Sequence, residues 1–351
     1  MSRFWSKIVQ DLEPYVPGEQ PRIEGLIKLN TNENPYPPSP KALEAIRRAT
    51  DETLRLYPDP VSAELRETIA ATFDLGSENI FVGNGSDEVL AHTFMGLLKQ
   101  DGPLLFPDIT YSFYPVYCGL YGIEAKKIPL GDDMSVEIEA YSGPAGAIIL
   151  PNPNAPTGIA LPLSDIRKLA EADRNRLLVV DEAYIDFGGE TAAALVPEFD
   201  NILVIRTFSK SYSLAGSRVG FAIGQRPLID ALERVKDSFN SYPLDRLAQA
   251  AATAAWKDRD WFEATRSRII MSRNQLTTDL TELGFEVLPS AANFVFARHP
   301  KHDGAKLAAS LRSEAILVRH FNKPRISDYL RITVGTEDEC KRLIEVLRKI
   351  L

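Results

Sequence analysis

The chain has 351 residues, 44% apolar and 25% charged, a balance that excludes a largely disordered protein and leaves room for two domains. Its net charge of −8 argues against nucleic acid or an anionic membrane as the main partner, so an anionic small molecule would need a locally basic pocket. Cys118 and Cys340 lack paired spacing and His92, His299, His302 and His320 form no ligand cluster, which points away from a disulfide framework or a metal site.

The opening Met1-Ser-Arg-Phe-Trp-Ser-Lys7 lacks the apolar core of a signal peptide, and no apolar run approaches membrane-spanning length, so a soluble cytoplasmic protein is expected. Spacing predicts a short amphipathic helix over 2–13, ended by Pro14, then a loop over Tyr15-Val-Pro-Gly18. A short strand at 27–29 leads into Asn30-Thr-Asn-Glu-Asn-Pro-Tyr-Pro-Pro38, too rich in proline for regular structure. Helical spacing over 41–50 and 61–73 flanks a turn at Leu56-Tyr57-Pro58-Asp59-Pro60.

From residue 79 strands and helices alternate. The strand 79–82 runs into Gly83-Asn-Gly85-Ser86-Asp87-Glu88, which opens a helix to about 99. Glycines ahead of a helix leave backbone N–H groups free for a phosphate, although ordinary tight turns use the same residues. Strands follow at 104–106, 123–128 and 147–150, the last entering Pro151-Asn-Pro-Asn-Ala-Pro-Thr-Gly158, and a helix is expected over 163–173. The apolar run 176–180 ends in Asp181-Glu-Ala-Tyr184. A carboxylate there is either a helix cap or an anionic partner for a ligand at the carboxyl edge of a sheet. The run 202–205 reads as the next buried strand, followed by Arg206-Thr-Phe-Ser-Lys210-Ser-Tyr-Ser-Leu-Ala-Gly-Ser-Arg218 and another apolar run at 219–223. Lys210 is either a surface charge or an amine placed beside an anion site made by Thr207, Ser209, Ser211 and Arg218, where it could form a Schiff base with pyridoxal phosphate. Beyond Gly224 helices are expected over 227–239, 244–256 and 260–283, then short strands at 284–288, 294–297, 316–319 and 329–333 mixed with helices 304–314 and 337–350. Repeated βα units predict an α/β chain with a mostly parallel, helix-flanked sheet. The domains expected are a large one over 31–240 and a smaller α+β one from 1–30 with 241–351.

Taken in order, Leu29-Asn-Thr-Asn-Glu-Asn-Pro-Tyr36, Tyr57-Pro-Asp-Pro60, Gly83-Asn-Gly-Ser-Asp-Glu88, Asn152-Pro-Asn-Ala-Pro-Thr-Gly158, Val180-Asp-Glu-Ala-Tyr184, Arg206-Thr-Phe-Ser-Lys210 with Arg218, and Tyr329-Leu-Arg-Ile-Thr-Val-Gly335 span nearly the whole chain. This ordered set resembles the fold-type I, class I/II aminotransferases, and among them the branch acting on histidinol phosphate. The resemblance implies pyridoxal 5'-phosphate on Lys210, Asp181 against its pyridinium nitrogen, Tyr184 on its ring oxygen and Tyr111 stacked on the ring. It implies a phosphate site from Gly85, Ser86, Asp87, Ser209 and Arg218, completed by Tyr57 across a homodimer interface. The family usually places an asparagine where this chain has Ala155; Asn154 is the expected substitute, with Asn152 behind it. Arg331 is expected to grip the acidic group of the substrate, with Arg319, Tyr15 and Asn32 beside it. The implied reaction is ping-pong transamination between histidinol phosphate and glutamate or 2-oxoglutarate, a step of histidine biosynthesis. An aromatic amino-acid aminotransferase and a threonine-phosphate decarboxylase are the alternatives on the same scaffold.

Overall fold

The computed structural model describes residues 2–351; Met1, which opens the expected small domain, lies outside the described residues. In chain order the strands are β1 (Ile27–Leu29), β2 (Ile80–Asn84), β3 (Leu104–Pro107), β4 (Ala125–Ile128), β5 (Ala147–Pro151), β6 (Leu177–Asp181), β7 (Ile202–Thr207), β8 (Val219–Gly224), β9 (Glu286–Val287), β10 (Phe294–Arg298), β11 (Ile316–His320) and β12 (Tyr329–Thr333). They make two sheets, one ordered β2-β8-β7-β6-β5-β3-β4 and the other β1-β11-β12-β10-β9. The architecture is the expected α/β one. In the larger sheet β8 alone runs against its neighbours.

The unbroken apolar runs become strands buried on both faces, because helices cover each side. Alternation divides their side chains: Leu150, Val180 and Val204 join one core, and Ile149, Val179 and Ile205 the other. The residue after Val180 is therefore thrown onto the Val179 side, where Tyr114 is packed, and that residue is Asp181. Parallel pairing also brings the ends of β5, β6 and β7 (Pro151, Asp181, Thr207) to one edge. The antiparallel β8 starts at that same edge, since Asn84 pairs with Val219 and Thr207 with Gly220. The lysine loop, Arg218 and the start of the helix Gly85–Thr93 thus meet at the carboxyl edge, where open α/β sheets bind ligands.

The smaller sheet packs with the helices Arg259–Glu282, Gly304–Ser313 and Glu337–Ile350 around a separate core. The core of the larger sheet continues through Leu244, Ala251, Trp256 and Phe262, past residue 240, because the helix Arg246–Lys257 turns its alanine face onto that sheet. A seam of Ile109, Leu130 and Met134 against Phe296, Ile326 and Tyr329 joins the two halves. The elements shortened most against expectation are the first helix, which covers Lys7–Asp11 with Ile8 and Val9 left exposed, and the strand expected at 284–288, which covers Glu286–Val287. A helix that short has too little buried surface to extend itself.

Candidate active site

A cavity of about 460 Å³ opens at the carboxyl edge of the larger sheet, walled by both sheets and by the segment 15–33. At its floor the Asp181 carboxylate is 4% exposed. Tyr114 donates to its Oδ2 at 2.8 Å, while Oδ1 is buried with no partner. Burial pushes the Asp181 carboxyl up to about 6, against the lowering effect of the Tyr114 hydrogen bond. An unspent acceptor in a buried carboxylate is costly unless a donor arrives from the cavity.

Lys210 projects from the loop after β7. Its Nζ donates to the Thr31 carbonyl at 3.2 Å and lies 5.8 Å from the centre of the Tyr184 ring. The loop is clamped on both sides. Asn34 Nδ2 donates to the carbonyls of Lys210 and Ser211 at 3.0 and 3.3 Å, and Ser211 Oγ donates to Asp186 at 2.6 Å, which is ion-paired with Arg206.

Opposite lies an anion cradle. Gly85 opens its helix at φ +79, and a Cβ there would stand 2.5 Å from Arg218 Nη2. Gly220 is equally constrained, since its Cβ would collide with the Ser86 amide. Arg218, itself at φ +51, donates to Asp87 at 2.9 Å, and Tyr111 donates to the other oxygen of Asp87 at 3.0 Å. Ser209 joins through Thr207, whose hydroxyl lies 3.0 Å from the Ser209 hydroxyl. The second cationic wall belongs to the smaller sheet, where Arg319 and Arg331 are direct cross-strand partners. Like charges placed opposite each other repel. Neither is relieved by a carboxylate among the described residues; Arg331 donates to the Asn30 carbonyl at 2.9 Å and its Nε has no partner.

The profile of the family "Aminotransferase class I and II" matches residues 24–347. The chain belongs to that family. Among its relatives, a histidinol-phosphate aminotransferase of Rhizobium meliloti (strain 1021) is 65% identical over 351 residues, covering 100% of both chains. One of Gluconacetobacter diazotrophicus is 62% identical, covering 100% of this chain and 99% of the other. In three dimensions it resembles the crystal structure of histidinol-phosphate aminotransferase from Sinorhizobium meliloti in complex with pyridoxal-5'-phosphate, with a TM-score of 0.87 and 26% identity over 100% of this chain and 99% of that one.

This aminotransferase brings Tyr15, Asn32, Ser86, Asp87, Tyr111, Asp181, Tyr184, Ser209, Lys210, Arg218, Arg319 and Arg331 to one cavity, although they were read from widely separated stretches. Asn154 is elsewhere: its amide donates to the Ile109 carbonyl and to Thr157, and the cavity wall at this loop is formed by Pro151 and Ala155. Tyr57 is 79% exposed and stacks on Tyr242 at 4.6 Å, off the cavity of its own chain. Asn32 lines the wall, but its side chain is engaged with Tyr184 and Thr333. Sequence reasoning missed Tyr114, which holds Asp181 across a separation of 67 residues, as well as Thr31, Gln20 and Glu33 in the wall. Only the short repeat of aromatics from Tyr111 to Tyr114 hinted at the first.

Pyridoxal phosphate suits this donor set on grounds internal to the cavity. Asp181 offers an unpartnered anionic oxygen to a protonated ring nitrogen, Lys210 an amine, and Ser86 and Asp87 with Ser209 and Arg218 an anion cradle; Gly85 does not line the cavity itself but packs against Arg218 behind it.

Proposed function

We propose that this aminotransferase moves an amino group between histidinol phosphate and 2-oxoglutarate, with pyridoxal phosphate held by Lys210, Asp181, Tyr184, Tyr111, Ser86, Asp87, Ser209 and Arg218. The observation that carries the substrate reading is the Arg319–Arg331 pair, two unrelieved cations on the cavity wall facing the lysine loop. Support also comes from full-length relatives, 62–65% identical, that are named for this substrate.

When bound, the cofactor supplies an electron sink for the α-carbon of the amine substrate. The protein does the rest. Asp181, ionised above about pH 6, favours the protonated pyridine nitrogen that makes the sink effective. With the cofactor bound, the Lys210 amine would act as general base and then general acid, carrying the proton between the substrate α-carbon and the cofactor's aldehyde carbon. Thr31 and Asn34 hold the lysine loop in register for that transfer. Arg331 binds the anionic group of either substrate, the phosphate of histidinol phosphate or a carboxylate of glutamate, and Arg319 with Tyr15 adds to the hold on the phosphate. The two amines use the arginines in turn, as a ping-pong sequence allows.

The same reading makes the protein a cytoplasmic homodimer whose Tyr57 completes the phosphate site of its partner; no helix among the described residues is long and apolar enough to cross a membrane. It also assigns a cofactor-binding domain that begins near 31 and runs beyond the expected 240 through the helix Arg246–Lys257, and a smaller domain that carries the substrate arginines. The test is product analysis of the purified protein with histidinol phosphate, phenylalanine or phosphothreonine, each with 2-oxoglutarate. Glutamate is expected chiefly from histidinol phosphate. Equal turnover of phenylalanine, or release of carbon dioxide from phosphothreonine, would replace the reading with an aromatic aminotransferase or a decarboxylase.

A further inference from the structure

Asn32 occupies the left-handed region at φ +59 and is 1% exposed. Asparagine tolerates that backbone better than most residues, yet a glycine would serve the turn alone. What the side chain adds is a closed set of hydrogen bonds. The Asn32 backbone N–H donates to Thr333 Oγ1 at 3.0 Å, and the Thr333 hydroxyl donates to Asn32 Oδ1 at 3.0 Å. Asn32 Nδ2 donates to Tyr184 Oη at 2.9 Å. Asn293, fully buried, holds the Asn32 carbonyl at 2.9 Å.

The donors in this set have no freedom. A backbone N–H can only donate, so Thr333 Oγ1 accepts there, and its single proton goes to Asn32 Oδ1. Reversing the amide would strand that buried hydroxyl proton. Nδ2 therefore faces Tyr184, whose oxygen accepts and whose own proton is left for another partner. Tyr184 lines the cavity, and the neighbouring wall at Ala155 offers only a methyl group.

We propose that Asn32, set by Thr333, is a positioning residue that directs the Tyr184 phenol proton into the cavity, towards the ring oxygen of the bound cofactor. With alanine at 155, Tyr184 is the donor on which that oxygen depends. The inference rests on the proposed cofactor reading and reassigns Asn32 from substrate contact to control of Tyr184.

The test is a pH titration of the visible absorbance of pyridoxal phosphate bound to the wild type and to Tyr184→Phe, Asn32→Asp and Thr333→Val. Loss of a donor to an anionic ring oxygen raises the proton affinity of the conjugated system, so Tyr184→Phe should move the transition upward by about one to two pH units, the worth of one charge-assisted hydrogen bond. Asn32→Asp keeps size and backbone preference but offers an acceptor, which pulls the phenol proton away; it should shift the transition in the same direction. In the Tyr184→Phe background, Asn32→Asp and Thr333→Val should add nothing. A shift for Tyr184→Phe without one for Asn32→Asp, or additive shifts in the double variant, overturns the positioning role alone. No shift for Tyr184→Phe overturns the placement of the cofactor as well. Should Asn32→Asp fail to fold, Thr333→Val, which frees the amide to turn, decides by the same comparison.

Discussion

Tyr114 and Asp181 share one short hydrogen bond, 2.8 Å from phenol to carboxylate, which satisfies one oxygen of the acid and leaves the other buried and unspent. The pair is a site prepared at a cost to the protein without its cofactor. With the folded pKa raised from 3.8 to about 6, Asp181 takes up a proton on folding between those values and is a buried charge only partly compensated by the Tyr114 hydrogen bond above them. At 1.36 kcal/mol per pH unit the penalty at pH 8 is about 3 kcal/mol.

Asp181→Asn should therefore stabilise the cofactor-free protein at pH 8 by a few degrees in thermal unfolding. That advantage should shrink as the pH falls through about 6 towards 4, where the wild-type acid becomes neutral. The same variant should bind pyridoxal phosphate at least tenfold more weakly at pH 8. A cofactor-free Asp181→Asn protein less stable than the wild type at pH 8 contradicts this account.

At the opposite end of the cavity, Gly85→Ala should displace Arg218, because the new Cβ would stand 2.5 Å from its Nη2 at a backbone angle of φ +79. The expected loss of affinity for pyridoxal phosphate is about tenfold or more, read by titration of the cofactor-free protein. Unchanged affinity would remove Gly85 and Arg218 from the cradle.

The two arginines should separate by half-reaction. Arg331→Ala removes the cation both substrates use and should cost each half-reaction about 2–5 kcal/mol in kcat/KM. Arg319→Ala should damage the reaction with histidinol phosphate more than that with glutamate. Stopped-flow traces of the two half-reactions decide, and equal losses in the Arg319 variant point to an unphosphorylated aromatic substrate.

For Tyr57, exposed on its own chain, mixing inactive Tyr57→Phe and Lys210→Ala chains should restore part of the activity through hybrid dimers. A fully active monomer at assay concentration sinks the shared-site arrangement.

The larger sheet was legible because strands buried on both faces are continuous apolar runs, and Asp181 and Lys210 stood out as polar residues at the ends of such runs. Arg319 and Arg331 were visible singly, but their opposition depends on β11–β12 register, which no local pattern encodes. Asn32 was read as a substrate contact, since its bonds to Tyr184 and Thr333 span separations of 152 and 301 residues. Whether Asn154 or Ala155 faces the cavity depends on how the loop 151–158 turns, and the pattern of residues there is the same either way. The core of the larger sheet runs past 240 because the alanine face of Arg246–Lys257 suits either half equally well when read as a sequence.

The most direct test of the central claim is borohydride reduction of the protein loaded with pyridoxal phosphate, followed by peptide mass spectrometry. The account predicts a stable phosphopyridoxyl adduct on Lys210 in the wild type and none at any position in Lys210→Ala. An adduct on another lysine, persisting in Lys210→Ala, would contradict it.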